Sequence, residues 1–175
     1  IDHLPSGLQI RVTMNQIDKK FLHVFFGDLV KINCPKIAQI SGYAGLIPFL
    51  GCIIFIYFDL NFYYDPTLIL VYYSAVILSF VGAISWGFIT KESVERGQKF
   101  SIFFAYSTVP SLLAFFSLLL SPKNSLLLII FGFILAISFE IYGREILRFP
   151  DWYLFLRIRL TTIVIICCFV GLFLI

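Results

Sequence analysis

Glu140 is the one acidic residue inside an otherwise uncharged apolar run, and two arginines, Arg157 and Arg159, open the next such run. In low-dielectric surroundings a carboxylate and a guanidinium can do two kinds of work. They can pair and lock two segments together, or they can relay protons or hold a polar solute. Arg157 lies one turn before Thr161 and shares its helical face. The candidate ion pair is therefore Glu140 with Arg157 or Arg159, read first as a structural lock and second as a relay or substrate site.

Other chemistry is sparse. Both histidines, His3 and His23, precede every apolar run, so no run supplies the imidazole pair of a membrane haem or a histidine-based catalytic or metal site. Ser85, Ser107 and Ser111 have no base nearby in the chain and are read as hydroxyls bonded to helix carbonyls or to neighbouring helices. Cys52, Cys167 and Cys168 lie in apolar runs, Cys34 stands alone, and no pair has metal-site spacing. Buried, unreactive thiols are the expectation. No catalytic residue, metal or cofactor is expected, and the chain is not expected to be an enzyme.

The elements that position these groups follow from composition. Hydrophobic residues make up 60% of the chain and charged ones 13%, against about 45–50% and about 25% in soluble domains. With a mean hydropathy of +0.97, the chain has more apolar surface than a soluble fold of this size can hide. A bilayer solvates such surface directly and requires only that backbone groups be paired, which continuous helices achieve. The runs lack the alternating pattern of barrel strands. The net charge of +3 falls between the runs, so lipid, not nucleic acid, is the expected partner.

Crossing the hydrocarbon takes about 20 apolar residues. Five runs qualify, at about 37–58, 68–90, 100–120, 125–142 and 154–175, giving an all-α, five-transmembrane-helix bundle over residues 37–175. Asp59 to Asn61 with Asp65-Pro66, the charged stretch Lys91 to Lys99, Ser121 to Asn124 and Gly143 to Asp151 are read as connections. Pro48 and Pro110 are expected to kink their helices without ending them. Lys31, Lys36, Lys91, Arg96, Lys99, Arg144, Arg148, Arg157 and Arg159 then fall on the N-terminal side and Lys123 on the other, which places the N-terminus in the cytoplasm or matrix. Trp86, Trp152 and Tyr153 mark that boundary; Tyr57, Tyr63, Tyr64, Tyr72 and Tyr73 mark the far one.

Residues 1–36 form a polar tail without the features of a secretory signal. Phe21, Leu22, Phe25, Leu29 and Ile32 recur at helical spacing, which predicts a short amphipathic helix on the membrane surface. The chain starts at Ile1 and its only methionine is Met14, so a fragment or an over-extended reading frame is expected, and whether residues 1–13 are native is left open.

Small residues predict where helices approach. Ala75, Ser79, Ala83 and Gly87 form a stripe at intervals of four, the partner being a helix of this chain or another. Gly132 and Ala136 share a face with Glu140, which turns the carboxylate into the bundle. About sixteen residues into its run, Glu140 would lie about 24 Å across the bilayer, near the cytoplasmic interface.

Gly45-Leu46-Ile47-Pro48-Phe49, Ile77 to Gly82 with Trp86-Gly87, Val109 to Ala114, Pro150-Asp151-Trp152-Tyr153, Leu156-Arg157 and Leu160-Thr161 follow one another in order. From about Pro35 onward the chain resembles, through these stretches, the uncharacterised membrane-protein family that includes transmembrane protein 69 (domain of unknown function 3429). The resemblance implies a small multi-span protein of the bacterial or mitochondrial inner membrane, with an acidic residue close to the position of Glu140 and no catalytic residue to carry over. The expected role is structural, accessory or assembly-related within a membrane complex. The alternative is a small-solute or proton transporter or channel using Glu140 and Arg157, with Tyr106, Ser107 and Ser111 around Pro110.

Overall fold

The computed structural model describes residues 35–60, 63–97 and 101–175. The chain divides into two units, Ile1–Asn33 and Cys34–Ile175, and every described residue belongs to the second. The expected amphipathic helix, Cys34 and Lys99 lie outside the described residues.

All regular structure among the described residues is helical: α1 (Lys36–Ala44), α2 (Ile47–Tyr57), α3 (Pro66–Arg96), α4 (Ser101–Ser117), α5 (Pro122–Tyr142) and α6 (Asp151–Leu174). Four stretches are long and apolar enough to cross a membrane: Lys36–Tyr57, Pro66–Arg96, Pro122–Tyr142 and Asp151–Leu174. α4 is shorter, at 17 residues, or about 25 Å against the ~30 Å hydrocarbon layer. The chain after it tightens into i→i+3 bonds, Leu118 N–H to Phe115 O and Leu119 N–H to Phe116 O.

Pro48 was expected to kink one helix, but the chain divides there into two. Proline has no N–H and crowds the carbonyl four residues back, so it sits within the first two positions of the new helix α2, where its donor is not missed. Leu46 N–H turns back to Tyr43 O at 3.0 Å. The carbonyl of Gly45 is instead met by the Tyr73 hydroxyl of α3, which donates at 3.0 Å. Tyr73, expected in an aromatic belt, is thus tied to a helix break.

α3 also differs from expectation. It runs six residues past Thr90, through most of the stretch read as a charged connection, and stops at Gly97, whose φ of 63° is the left-handed conformation of a helix C-terminus. Its last turns are supported by Lys91–Glu95 and Glu92–Arg96, both spaced i,i+4. Its start is capped by Asp65, which accepts from Thr67 N–H at 2.8 Å, with Pro66 at the first helical position.

Two apolar clusters bind the helices. The larger joins Phe49, Leu70, Leu78, Leu126, Ile129, Phe133, Val164 and Cys168. The smaller gathers Ile89, Leu147, Phe149, Tyr153 and Leu154 at the end carrying the α5–α6 connection. Backbones approach closely at two glycines. A Cβ at Gly82 would lie 2.7 Å from Ser107 O and 3.3 Å from Pro110 Cβ, so glycine lets α3 lie against α4 beside its proline. A Cβ at Gly132 would lie 2.6 Å from Leu78 Cδ2. Large apolar side chains also cover the outside, among them Val76, Phe80, Phe115, Phe131 and Phe173, as expected where the solvent is lipid.

Candidate functional site

Gly132, Ala136 and Glu140 repeat every four residues along α5, and all three are buried. The small residues bring the helix close to its neighbours, and Glu140 follows on the same face into the interior, where it is fully buried. A bare carboxylate in such a place would carry a large desolvation cost. α6 meets it with two side chains one turn apart. The Tyr153 hydroxyl donates to Glu140 Oε1 at 3.0 Å, and Arg157 Nε donates to Oε2 at 3.2 Å and to Oε1 at 3.4 Å. Tyr153 is held in turn by ring contacts with Phe88 of α3 and Phe149.

Arg157 approaches through Nε and not through the paired terminal nitrogens of a guanidinium fork. Nη2 of Arg157 is left buried without a hydrogen-bond partner, as is Thr161 Oγ1 one turn further along α6. Arg159 is exposed, about 200° around the helix from Arg157. Of the two candidate arginines, Arg157 faces the carboxylate.

The stripe on α3 does not act as one packing face within this chain. Ala75 is buried and Ser79 half-buried, but Ala83 and Gly87 are exposed, and nothing lies within 4 Å of a Cβ placed at Gly87. The inward face is rotated from it and runs through Leu78, Val81, Gly82, Ser85 and Ile89 to Glu92. The hydroxyls of Ser107 and Ser117 turn back to their own helix, donating to Phe104 O at 2.8 Å and Ala114 O at 2.6 Å. Cys52, Cys167 and Cys168 are free thiols, all buried.

Glu92 is a second buried carboxylate, absent from the sequence reading. It is 1% exposed, with Arg96 Nε at 2.9 Å and Arg148 Nε at 4.0 Å from its Oε2. The only available signal was the i,i+4 spacing of Glu92 and Arg96 ahead of Gly97. A further pair, Arg144 Nη2 with Asp151 Oδ1 at 2.9 Å, ties the α5–α6 connection to the first turn of α6, where an acidic residue also suits the helix dipole.

Apolar helices of spanning length, with apolar residues outside and paired carboxylates inside, define a multi-pass α-helical membrane protein. The chain belongs to the DUF3429 family, described as proteins of unknown function, whose family model matches residues 34–173. It is similar to Transmembrane protein 69 of Xenopus tropicalis, with 32% identity over 136 residues, covering 76% of this chain and 52% of that protein. The chain therefore spans about half the length of this curated relative. No solved structure matches it.

Proposed function

We propose that the chain is a structural, accessory or assembly component of a larger membrane complex. The observation that carries this reading is the engagement of Glu140, whose two oxygens are met by Tyr153 and Arg157 across the α5–α6 interface. A carboxylate so held serves to fix two helices. The exposed Ala83 and Gly87 supply a flat outer strip on which a helix from another chain can lie closely.

In this proposal the bundle has five spans, α4 with its flanking residues being the third. The N-terminus lies on the cytoplasmic or matrix side of a bacterial plasma membrane or a mitochondrial inner membrane, and the chain is not an enzyme. The lopsided Lys and Arg distribution supports the orientation. The second reading, transport of a small solute or protons past Glu140 and Arg157, draws on the unpartnered Arg157 Nη2 and Thr161 Oγ1.

The test is purification of the tagged protein from its native membrane in gentle detergent. Co-purifying proteins are identified by mass spectrometry beside Glu140→Gln and Gly87→Leu variants. A stoichiometric partner that Gly87→Leu loses supports the accessory reading. Recovery of the protein alone, with solute or proton flux in vesicles that Glu140→Gln abolishes, replaces it with transport.

A further inference from the structure

Glu92 and the arginines beside it have no part in the Glu140 site. Its carboxylate ends the inward face of α3, sealed from solvent, yet both cations near it reach outward: Arg96 is 27% exposed and Arg148 is 65% exposed. Arg96 belongs to the last turn of α3, whereas Arg148 comes from the α5–α6 connection. One carboxylate oxygen therefore draws guanidinium groups from two separate segments toward a single point.

The charges there do not cancel, since one carboxylate faces two guanidinium groups and one positive charge is left over. The approach in each case is through Nε, which leaves the terminal nitrogens of both side chains for other acceptors. Among the described residues neither guanidinium makes a further polar contact, and Arg96 Nε, although close to Glu92, is out of line for a hydrogen bond.

Two adjacent guanidinium groups with surplus positive charge, oriented from behind by a buried counter-charge, suit a tetrahedral oxyanion, whose oxygens match the planar N–H edges. The place narrows the source of that oxyanion. The pair sits at the end of a membrane-length helix, where lipid phosphates and the first acyl carbons meet a protein.

We propose that Arg96 and Arg148, positioned by Glu92, form a phosphate site that takes the headgroup of an anionic phospholipid. The full chain in detergent is titrated with phosphatidylglycerol, with phosphatidylcholine, whose phosphate is balanced within its own headgroup, and with inorganic phosphate, and bound species are read by native mass spectrometry. Phosphatidylglycerol is expected to be retained over phosphatidylcholine, and Arg148→Gln to lower its retention about fivefold, the effect of one basic residue near a lipid phosphate. Lys91→Gln, which removes an equal charge one turn before Glu95, is expected to change it little. Arg148 is exposed, so its variant should keep the wild-type melting temperature, whereas Arg96→Gln is read only beside a melting curve. Binding of inorganic phosphate that Arg148→Gln abolishes, with no preference between the lipids, keeps the phosphate site but overturns its assignment to lipid. Equal retention of phosphatidylglycerol by the wild type and Arg148→Gln, with no phosphate binding, overturns both.

Discussion

Arg157 Nε lies 3.2 Å from Oε2 of Glu140, joining the last turn of α5 to the second turn of α6 inside the bundle. Both ends of the bond are shielded, so its loss from one side differs sharply from its loss from both.

Replacing Arg157 by leucine leaves a buried carboxylate with only a tyrosine to answer it. The expected destabilisation is about 3–5 kcal/mol, read as a lowered midpoint of thermal unfolding in detergent. The double variant Glu140→Leu with Arg157→Leu is expected to recover most of that loss, because apolar replacement of a whole buried pair is often near neutral. A double variant as unstable as the single one would show that the pair is more than a lock.

Tyr153→Phe removes one hydrogen bond to the same carboxylate and little volume. The expected cost is about 1.5–3 kcal/mol, the range for a hydrogen bond to a charged group. It should fall below that of Arg157→Leu in the same melting experiment; the reverse order would make the tyrosine, and not the arginine, the principal partner of Glu140.

Gly82 and Gly87 should respond in opposite ways. Gly82→Ala places a methyl group 2.7 Å from Ser107 O and is expected to cost about 1–3 kcal/mol as α3 and α4 are forced apart. Gly87→Ala meets nothing within 4 Å and is expected to be neutral, or to stabilise the isolated chain by up to about 1 kcal/mol through helix propensity. Equal effects at the two positions would mean that α3 sits on α4 in another rotation.

Orientation is tested with a membrane-impermeant maleimide and single added cysteines. Lys123→Cys is expected to label from outside intact cells or mitoplasts, and Glu145→Cys only after the membrane is opened. Both cysteines are placed in a Cys34→Ser background, which retains only the buried Cys52, Cys167 and Cys168 and serves as the blank. Labelling in the reverse order would invert the proposed topology.

Much of this organisation is legible in the residue pattern because lipid-facing helices must be uniformly apolar and their connections must not be. Glu140 stands out for that reason, and its spacing from Gly132 and Ala136 shows the face it occupies. Glu92 is different. In the sequence it is one charge in the run from Lys91 to Arg96, and its second cationic neighbour, Arg148, arrives from a connection more than fifty residues away, which no local pattern reports. The direction of the small-residue stripe is likewise a tertiary outcome. Leu78 and Gly82, one position before Ser79 and Ala83, pack inward instead, because bulk at Leu78 fills the space opened by Gly132.

The break at Gly45 and Leu46 sets α1 apart from the rest of the bundle in how readily it comes loose. α1 buries none of its side chains, the backbone pattern changes at the turn where Leu46 N–H bonds Tyr43 O, and the Tyr73 hydroxyl on Gly45 O is a tether that can be released without opening any helix. Local stability follows buried contact, so in hydrogen–deuterium exchange the amides of Lys36 to Ala44 should lose protection before those of α2, and sooner still in Tyr73→Phe. The first apolar stretch thus has a detachable leading half, whose exchange rate would report on anything that docks against it.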